Sequence, residues 1–382
     1  MTPSNKIHIV AFDVPYPADY GGVIDIYYKI QALHKKGIEV ELHCFQYGRA
    51  KSKKLNSICS KVHYYKRNSW KNPFLNSLPY IVCTRNSREL LNNLLKDAAP
   101  ILFEGIHTTF FLRNPELKNR FKIVRMHNIE HDYYRSLEKV ETNFFKKYFY
   151  KNESDKLKKY QKHLKHANVI AAISKPDTIY LQKHFDNVVQ ISAFHPNKEV
   201  AEPNLNTLKN GKFAFYHGNL SVGENNHAAI YLIEEIFNDL DIPLVIAGKH
   251  PSADLMKAAE QYGNVTIRKG LSSEKIMRLI SEAHINVLPT FQNTGIKLKL
   301  LNALYLGKHC LVTPNMVENT GLEKLCTIGK NKKELKKHLL NLISIEFDAQ
   351  DLENRKELLV EFSNDFNATK LVDLFTEIEV KQ

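Results

Sequence analysis

The chain is expected to be an α/β protein with two doubly wound, parallel-sheet domains facing a central cleft. Three observations lead there. Its 382 residues exceed what a single hydrophobic core usually organises. Short β-branched runs alternate with stretches of helical periodicity, the pattern of βαβ units. The alternation occurs twice, in two series separated by a proline-containing polar stretch at 195–211.

The first series opens at 7–14, an apolar run of the kind that forms a strand buried on both faces. Residues 24–36 carry helical spacing and end at Gly37, which suits the turn after a helix. Further strands are expected at 40–46, 101–104, 122–127, 169–174 and 188–194. The second series places strands at 212–217, 243–247, 265–268, 285–289 and 310–313, with helices at 227–238, 253–262, 273–283 and 298–306. The expected Rossmann-like domains are therefore 1–195 and 196–355. A last helix, roughly 356–377 within the segment 356–382, is expected to pack back on the first domain.

Composition excludes several classes. Hydrophobic residues make up 43% and charged residues 25%, ordinary for a globular protein and unlike a disordered one. The five cysteines are odd in number and form no C-x-x-C, which argues against a disulfide framework and a structural zinc site. They are expected to be buried thiols. No stretch of about 18 apolar residues would span a bilayer. The first apolar run stops at Asp13 and Pro15, too soon for a signal peptide. The chain is expected in the cytoplasm. Its net charge of +13 suits phosphorylated ligands or an anionic membrane surface. With no zinc-finger or RRM signature, nucleic acid is not an expected partner.

In α/β sheets of this kind ligands bind beyond the carboxyl ends of the strands, so the loops there carry the candidate residues. The first such loop, 13–22, ends in Gly21 and Gly22 just before a helix. Glycines there let backbone N–H groups approach a phosphate at a helix N-terminus; a tight turn needing positive φ is the alternative. After the strand at 122–127 come His127, Glu130, His131 and Asp132. The spacing is not H-E-x-x-H, so no metal is expected; His127 is a candidate substrate contact or a structural histidine. The loop from His217 offers Gly218 and Asn219, and the next strand ends in Gly248 and Lys249. Most informative is 289–304, where a polar loop with Thr294, Gly295 and Ile296 enters a helix carrying Lys297 and Lys299 at its start. Positive side chains are unfavourable at a helix N-terminus. A bound diphosphate would supply the opposing charge; a solvated basic turn is the alternative.

With these residues in view the chain resembles a GT-B glycosyltransferase of the family 4 type over nearly its whole length. The glycine pair, residues 125–132, Ser174 with Asp177, the loop 217–226 and the stretch from Gly295 to Gly321 carry the resemblance. It implies a retaining transferase with an acceptor-side first domain and a second domain that binds a UDP- or GDP-linked sugar. It implies that Gly21 and Gly22 approach the donor diphosphate, that His127 faces the reacting sugar and that Lys297 and Lys299 bind the diphosphate. The family commonly has two glutamates eight residues apart, one near the sugar and one on the ribose; Thr294 and Asn302 stand there in this chain. Donor binding is thus expected from Gly21, Gly22, Gly218, Asn219, Gly248, Lys249, Gly295, Ile296, Lys297 and Asn302, and catalysis from His127, Lys299 and Thr294. No Asp-x-Asp pair stands at a strand end, so neither a metal nor another cofactor is expected. The acceptor would be a glycan or a lipid-linked saccharide of bacterial surface polysaccharide. The segment 144–166 is rich in lysine, with aromatics clustered at its start. It suits either an anionic membrane surface, giving a peripheral protein on the inner face, or a solvated helix flank. Two other readings stay open on the residues: a sugar-nucleotide epimerase or hydrolase, and a binding module without chemistry.

Overall fold

The computed structural model describes residues 5–69, 72–202, 211–291 and 298–376. Its strands are β1 (Lys6–Ala11), β2 (Glu39–Gln46), β3 (Lys61–Lys66), β4 (Ile101–Glu104), β5 (Lys122–Met126), β6 (Val169–Ala172), β7 (Val188–Gln190), β8 (Ala214–Asn219), β9 (Leu244–Lys249), β10 (Val265–Lys269), β11 (Ile285–Leu288), β12 (His309–Val312) and β13 (Thr327–Ile328). Its α-helices are α1 (Gly21–Lys35), α2 (Tyr80–Cys83), α3 (Arg88–Leu94), α4 (Glu130–Val140), α5 (Phe144–Tyr160), α6 (Lys175–Gln182), α7 (Gly223–Tyr231), α8 (Ala253–Glu260), α9 (Ser273–Glu282), α10 (Leu298–Leu306), α11 (Pro314–Val317), α12 (Lys332–Leu342), α13 (Ala349–Leu358) and α14 (Asn364–Thr376).

Two compact units result. Of the described residues, the first holds 5–196 and again those from Phe362; the second holds 197–202, 211–291 and 298–361. In the first unit seven parallel strands lie in the order β3-β2-β1-β4-β5-β6-β7. Ile7 and Ile9 on one face of β1 and Val10 on the other are fully buried, which is why the strand reads as a largely apolar run, broken by the equally buried His8. α1 covers one face with Val23, Ile26, Ile30 and Leu33, spaced as one helical stripe. Its end is set by Gly37 at φ +75, a left-handed turn that costs glycine nothing.

The C-terminal segment departs from the expected single helix. The helix breaks after Leu358, and Ser363 restarts it by accepting the backbone N–H of Phe366 at 3.2 Å. α13 belongs to the second unit and α14 to the first. Ala368, Leu371 and Phe375 of α14 join the core that holds Ile26, Ile30 and Leu33 of α1. The Asn367 side-chain Oδ1 accepts the Ser192 backbone N–H at 2.8 Å, and the Asn364 side chain bonds both backbone groups of His195.

The second unit is a six-stranded parallel sheet in the order β10-β9-β8-β11-β12-β13. No disulfide joins the five cysteines. Among the described residues no helix is long and apolar enough to cross a membrane.

Candidate active site

Strand order locates a ligand crevice in each unit. Each sheet grows outward from its first strand in one direction and then in the other, so the loops after two adjacent strands part and leave a gap. In the second unit the reversal lies between β8 and β11. The loop after β8 and the start of α10 flank it.

Several candidate residues meet there. Lys299, in the first turn of α10, donates to the Asn225 side-chain oxygen at 2.8 Å and stands 5.1 Å from the centre of the Tyr216 ring. Asn225 in turn donates to the Asn219 carbonyl at 3.0 Å, so the β8 loop and the head of α10 are tied through one side chain. A Cβ on Gly218 would lie 3.1 Å from Asn225, and one on Gly248 only 2.3 Å from the Gly218 carbonyl oxygen. Glycine at 248 is therefore required for β8 and β9 to run this close at their carboxyl ends. Lys249 is exposed beside Asn219, its register partner. Glu224, at the head of α7, accepts from the Thr290 hydroxyl, and Thr313 holds the Thr290 backbone from the other side.

His217 lies in the same place. It is buried, and its Nε2 has no hydrogen-bond partner among the described residues. Burial, with the Lys299 charge adding to it, pushes the imidazole down to about 3, so it is neutral at physiological pH. A buried polar nitrogen without a partner costs free energy unless a ligand satisfies it. Asn302, one turn beyond Lys299, accepts from the Asn197 side chain at 2.9 Å. Thr294, Gly295, Ile296 and Lys297 lie outside the described residues.

In the first unit the reversal lies between β1 and β4. Neither Gly21 nor Gly22 has positive φ, so the tight-turn reading does not hold. Gly22 instead makes room for the Phe12 ring, which a Cβ would approach to 2.6 Å, whereas Gly21 is open to solvent. The Phe12 ring contacts those of His107 and His127 at 5.1 and 5.5 Å between centroids. His127, at the end of β5, shares a hydrogen bond with Glu104 through Nε2 at 2.9 Å and has Nδ1 3.8 Å from Asp25.

A balanced set of charges fixes that imidazole. Lys29 bonds both Asp25, at 2.9 Å, and Glu104, at 2.6 Å. Arg125 grips Asp25 with two nitrogens at 2.9 and 3.2 Å. Burial alone would raise both carboxyls; the Arg125 and Lys29 charges outweigh it at Asp25, and Lys29 with His127 outweighs it at Glu104. Two buried anions are thus met by two buried cations, as burial of charge requires. Asp25, Glu104 and His127 could by position hold a metal ion, as could His8, Glu41 and His43. In the first trio the carboxylates already face Lys29 and Arg125, whose charges would repel a divalent ion. In the second, His8 and His43 bond each other at 2.9 Å and Glu41 pairs with Lys6 at 2.7 Å.

Glu130, at the head of α4, is 5% exposed, and burial pushes its carboxyl up to about 7. His107 Nδ1 lies 4.0 Å from it, buried and without a hydrogen bond among the described residues.

The sequence reading named Glu130 only in weighing a metal, and it passed over Tyr216, His217, Asn225, Glu224, Asp25, Glu104 and His107 as site residues. His217, Asn225 and Glu224 lie in the quoted loop and could have been found by asking which polar side chains end a strand or begin a helix. Asp25 and Glu104 carried a weaker signal, charge within apolar elements.

Comparison with known proteins follows the same geography. Residues 211–344, most of the second unit, match the family model described as Glycosyl transferases group 1. A Klebsiella pneumoniae relative, an uncharacterized 44.6 kDa protein in the cps region, is 28% identical over 359 residues, covering 88% of this chain and 90% of the relative. Among solved structures, TarM, known from S. aureus, is similar with a TM-score of 0.69 at 12% identity, covering 98% of this chain and 99% of TarM. The lipopolysaccharide outer core galactosyltransferase WaaB gives 0.61 at 13% identity, covering 99% and 100%. Anabaena HepE, solved with UDP and glucose, gives 0.60 at 11%, covering 98% and 96%. The fold is GT-B, and the second unit contains the stretch that matches the Glycosyl transferases group 1 model.

Proposed function

We propose that the chain is a retaining, metal-independent glycosyltransferase of the family 4 type. It moves a sugar from a UDP- or GDP-linked donor to a glycan or lipid-linked acceptor in bacterial surface-polysaccharide synthesis. It works in the cytoplasm, at the inner face of the membrane. The observation that carries this is Lys299. A lysine in the first turn of a helix opposes the helix dipole. Here it is held by Asn225, which itself bonds the carboxyl end of β8, at the sheet's reversal point and inside the matched domain.

The chemistry follows from charge. When the bond from the anomeric carbon to the diphosphate breaks, negative charge develops on the diphosphate. Lys299, with Lys297 beside it in the sequence, would stabilise that charge in the transition state, where electrostatic groups act most strongly. The neutral His217 would offer its unpartnered nitrogen to the same ligand. His127, fixed by Glu104, would present its ring to the sugar or acceptor. Lysine in place of a metal fits carboxylates that are already neutralised by Lys29 and Arg125. The polysaccharide role is supported by the cps-region relative, and the nucleotide donor by the UDP complexes of TarM and HepE.

The test is a panel of UDP- and GDP-sugars incubated with the protein, with and without a lipid-linked saccharide extract. Sugar transfer with nucleoside diphosphate released only when acceptor is present is expected. Free sugar or an epimer formed without acceptor would point to the hydrolase or epimerase reading instead.

A further inference from the structure

The first unit carries an exposed aromatic surface. α4 and α5 form a hairpin, and α5 begins at its tip, where the Asn143 side chain caps it by accepting the Lys146 backbone N–H at 3.1 Å. Phe144 and Phe145 are 75% and 81% exposed there, and Tyr148 is 57% exposed. Phe74, from the loop before α2, stacks on Tyr148 at 5.6 Å and meets Phe149 edge-on at 6.5 Å. Leu75 beside it is 86% exposed. These rings line an open apolar cleft of about 680 Å³ with Lys146 at its rim. Two bonds tie the loop that carries Phe74 to α5: the Lys156 amine donates to the Pro73 carbonyl, and Glu153 accepts the Tyr80 backbone N–H at 2.5 Å.

We propose that this hairpin tip is a membrane-docking surface, whose partner is the boundary between headgroups and acyl chains of an anionic bilayer. Exposed phenylalanines together cost free energy in water, and a patch of this kind marks a contact site. Charge selects the partner. Between Thr142 and Asn152 the chain has Lys146, Lys147 and Lys151, all exposed, and no acidic residue. Lysine is depleted in the centre of protein interfaces, whereas lysine around inserted aromatics is the pattern of interfacial membrane helices. A second copy of the chain docked by a two-fold axis would set these lysines against their own equivalents. An anionic bilayer instead attracts them, at about 1 kcal/mol each, or roughly fivefold in affinity. The docking element is thus the aromatic head of α5 rather than its lysine-rich second half, where Lys156 is committed to Pro73 and Glu153. The proposal rests on the reading above, which sets the protein at the inner face of a membrane, and deepens it by naming the surface that docks.

The test is flotation of the full chain with vesicles of phosphatidylcholine containing about a quarter phosphatidylglycerol, against phosphatidylcholine alone, at low and high salt. Wild type is expected to float with the anionic vesicles. The pair Phe144→Ser and Phe145→Ser should lose at least about tenfold in partitioning. The triple Lys146→Gln, Lys147→Gln, Lys151→Gln should lose roughly a hundredfold on anionic vesicles, together with the salt dependence. All five side chains are exposed, so melting temperatures should match wild type. As a second readout, Phe144→Trp should shift its emission to the blue with anionic vesicles, against the background of Trp70. Wild type that stays with the aqueous phase at low salt, a phenylalanine pair that floats like wild type, or an unshifted Phe144→Trp overturns the proposal. So does concentration-dependent dimerisation abolished by the phenylalanine pair without vesicle binding. Titration of the same proteins with UDP and GDP separates the two readings. Floating without nucleotide binding sinks the donor site and leaves the docking surface, and the converse sinks only the docking.

Discussion

Glu130 is the residue whose burial has the clearest measurable consequence. Its carboxyl is raised from the ordinary 4.5 to about 7, first because burial disfavours the anion and then because Asp177 lies near. A carboxyl with a raised value binds its proton more tightly in the folded chain than in the unfolded one. Between about 4.5 and 7 the folded state therefore loses stability as pH rises, by up to about 3 kcal/mol. Glu130→Gln keeps the shape and removes the titration. Its stability relative to wild type should thus rise across that window and level off above it, as denaturant unfolding at stepped pH would measure. A constant difference between the two proteins from pH 5 to 8 would show that the carboxyl titrates as if exposed. His217 runs the other way, because its depressed value makes the fold lose stability as pH falls below the ordinary histidine range. Comparing Glu130→Gln with wild type cancels that contribution.

Among the elements, α14 is held by three buried side chains and two asparagines rather than by its own sequence, whose apolar stripe is short. Leu371 is 2% exposed in the α1 core, so Leu371→Ala should destabilise the first unit by about 2–5 kcal/mol. In denaturant the transition of that unit should move to lower concentration while nucleotide affinity in the second unit persists. An unmoved transition would mean that the helix is not part of that core. This element also shows where the sequence was readable and where not. Strands buried on both faces, such as β1, β4 and β11, announce themselves as mostly apolar runs interrupted by a single buried polar residue such as His8 or Asn286. β3 escaped because it is an edge strand, with lysine at both ends and mostly half-buried side chains. The break after Leu358 escaped because the bond between Asn364 and His195 joins residues 169 apart. The candidate site divides in the same way. Lys299 was visible because charge at a helix start violates a local rule. Asn225 and Glu104 were not singled out, because each acts through a partner that only folding supplies.

For the whole molecule, the account is a lysine-based donor site in one doubly wound unit and a charge-balanced histidine in the other. Transfer should then survive excess EDTA without loss. Activity abolished by chelation and restored by Mg²⁺ or Mn²⁺ would instead place a metal on the diphosphate. In the proposed transferase the β8 and α10 loops bind a nucleoside diphosphate through Lys299. Calorimetric titration of wild type and Lys299→Ala with UDP and with GDP, beside melting curves, tests it most directly. One nucleotide should bind wild type, and the variant should bind it roughly ten- to a hundredfold more weakly, because a charge-assisted hydrogen bond to phosphate contributes about 1.5–3 kcal/mol. Its melting temperature should stay near wild type, since the lost bond to Asn225 is offset by relief at the helix start. Equal affinity in the two proteins, or no binding of either nucleotide to wild type, would contradict the account.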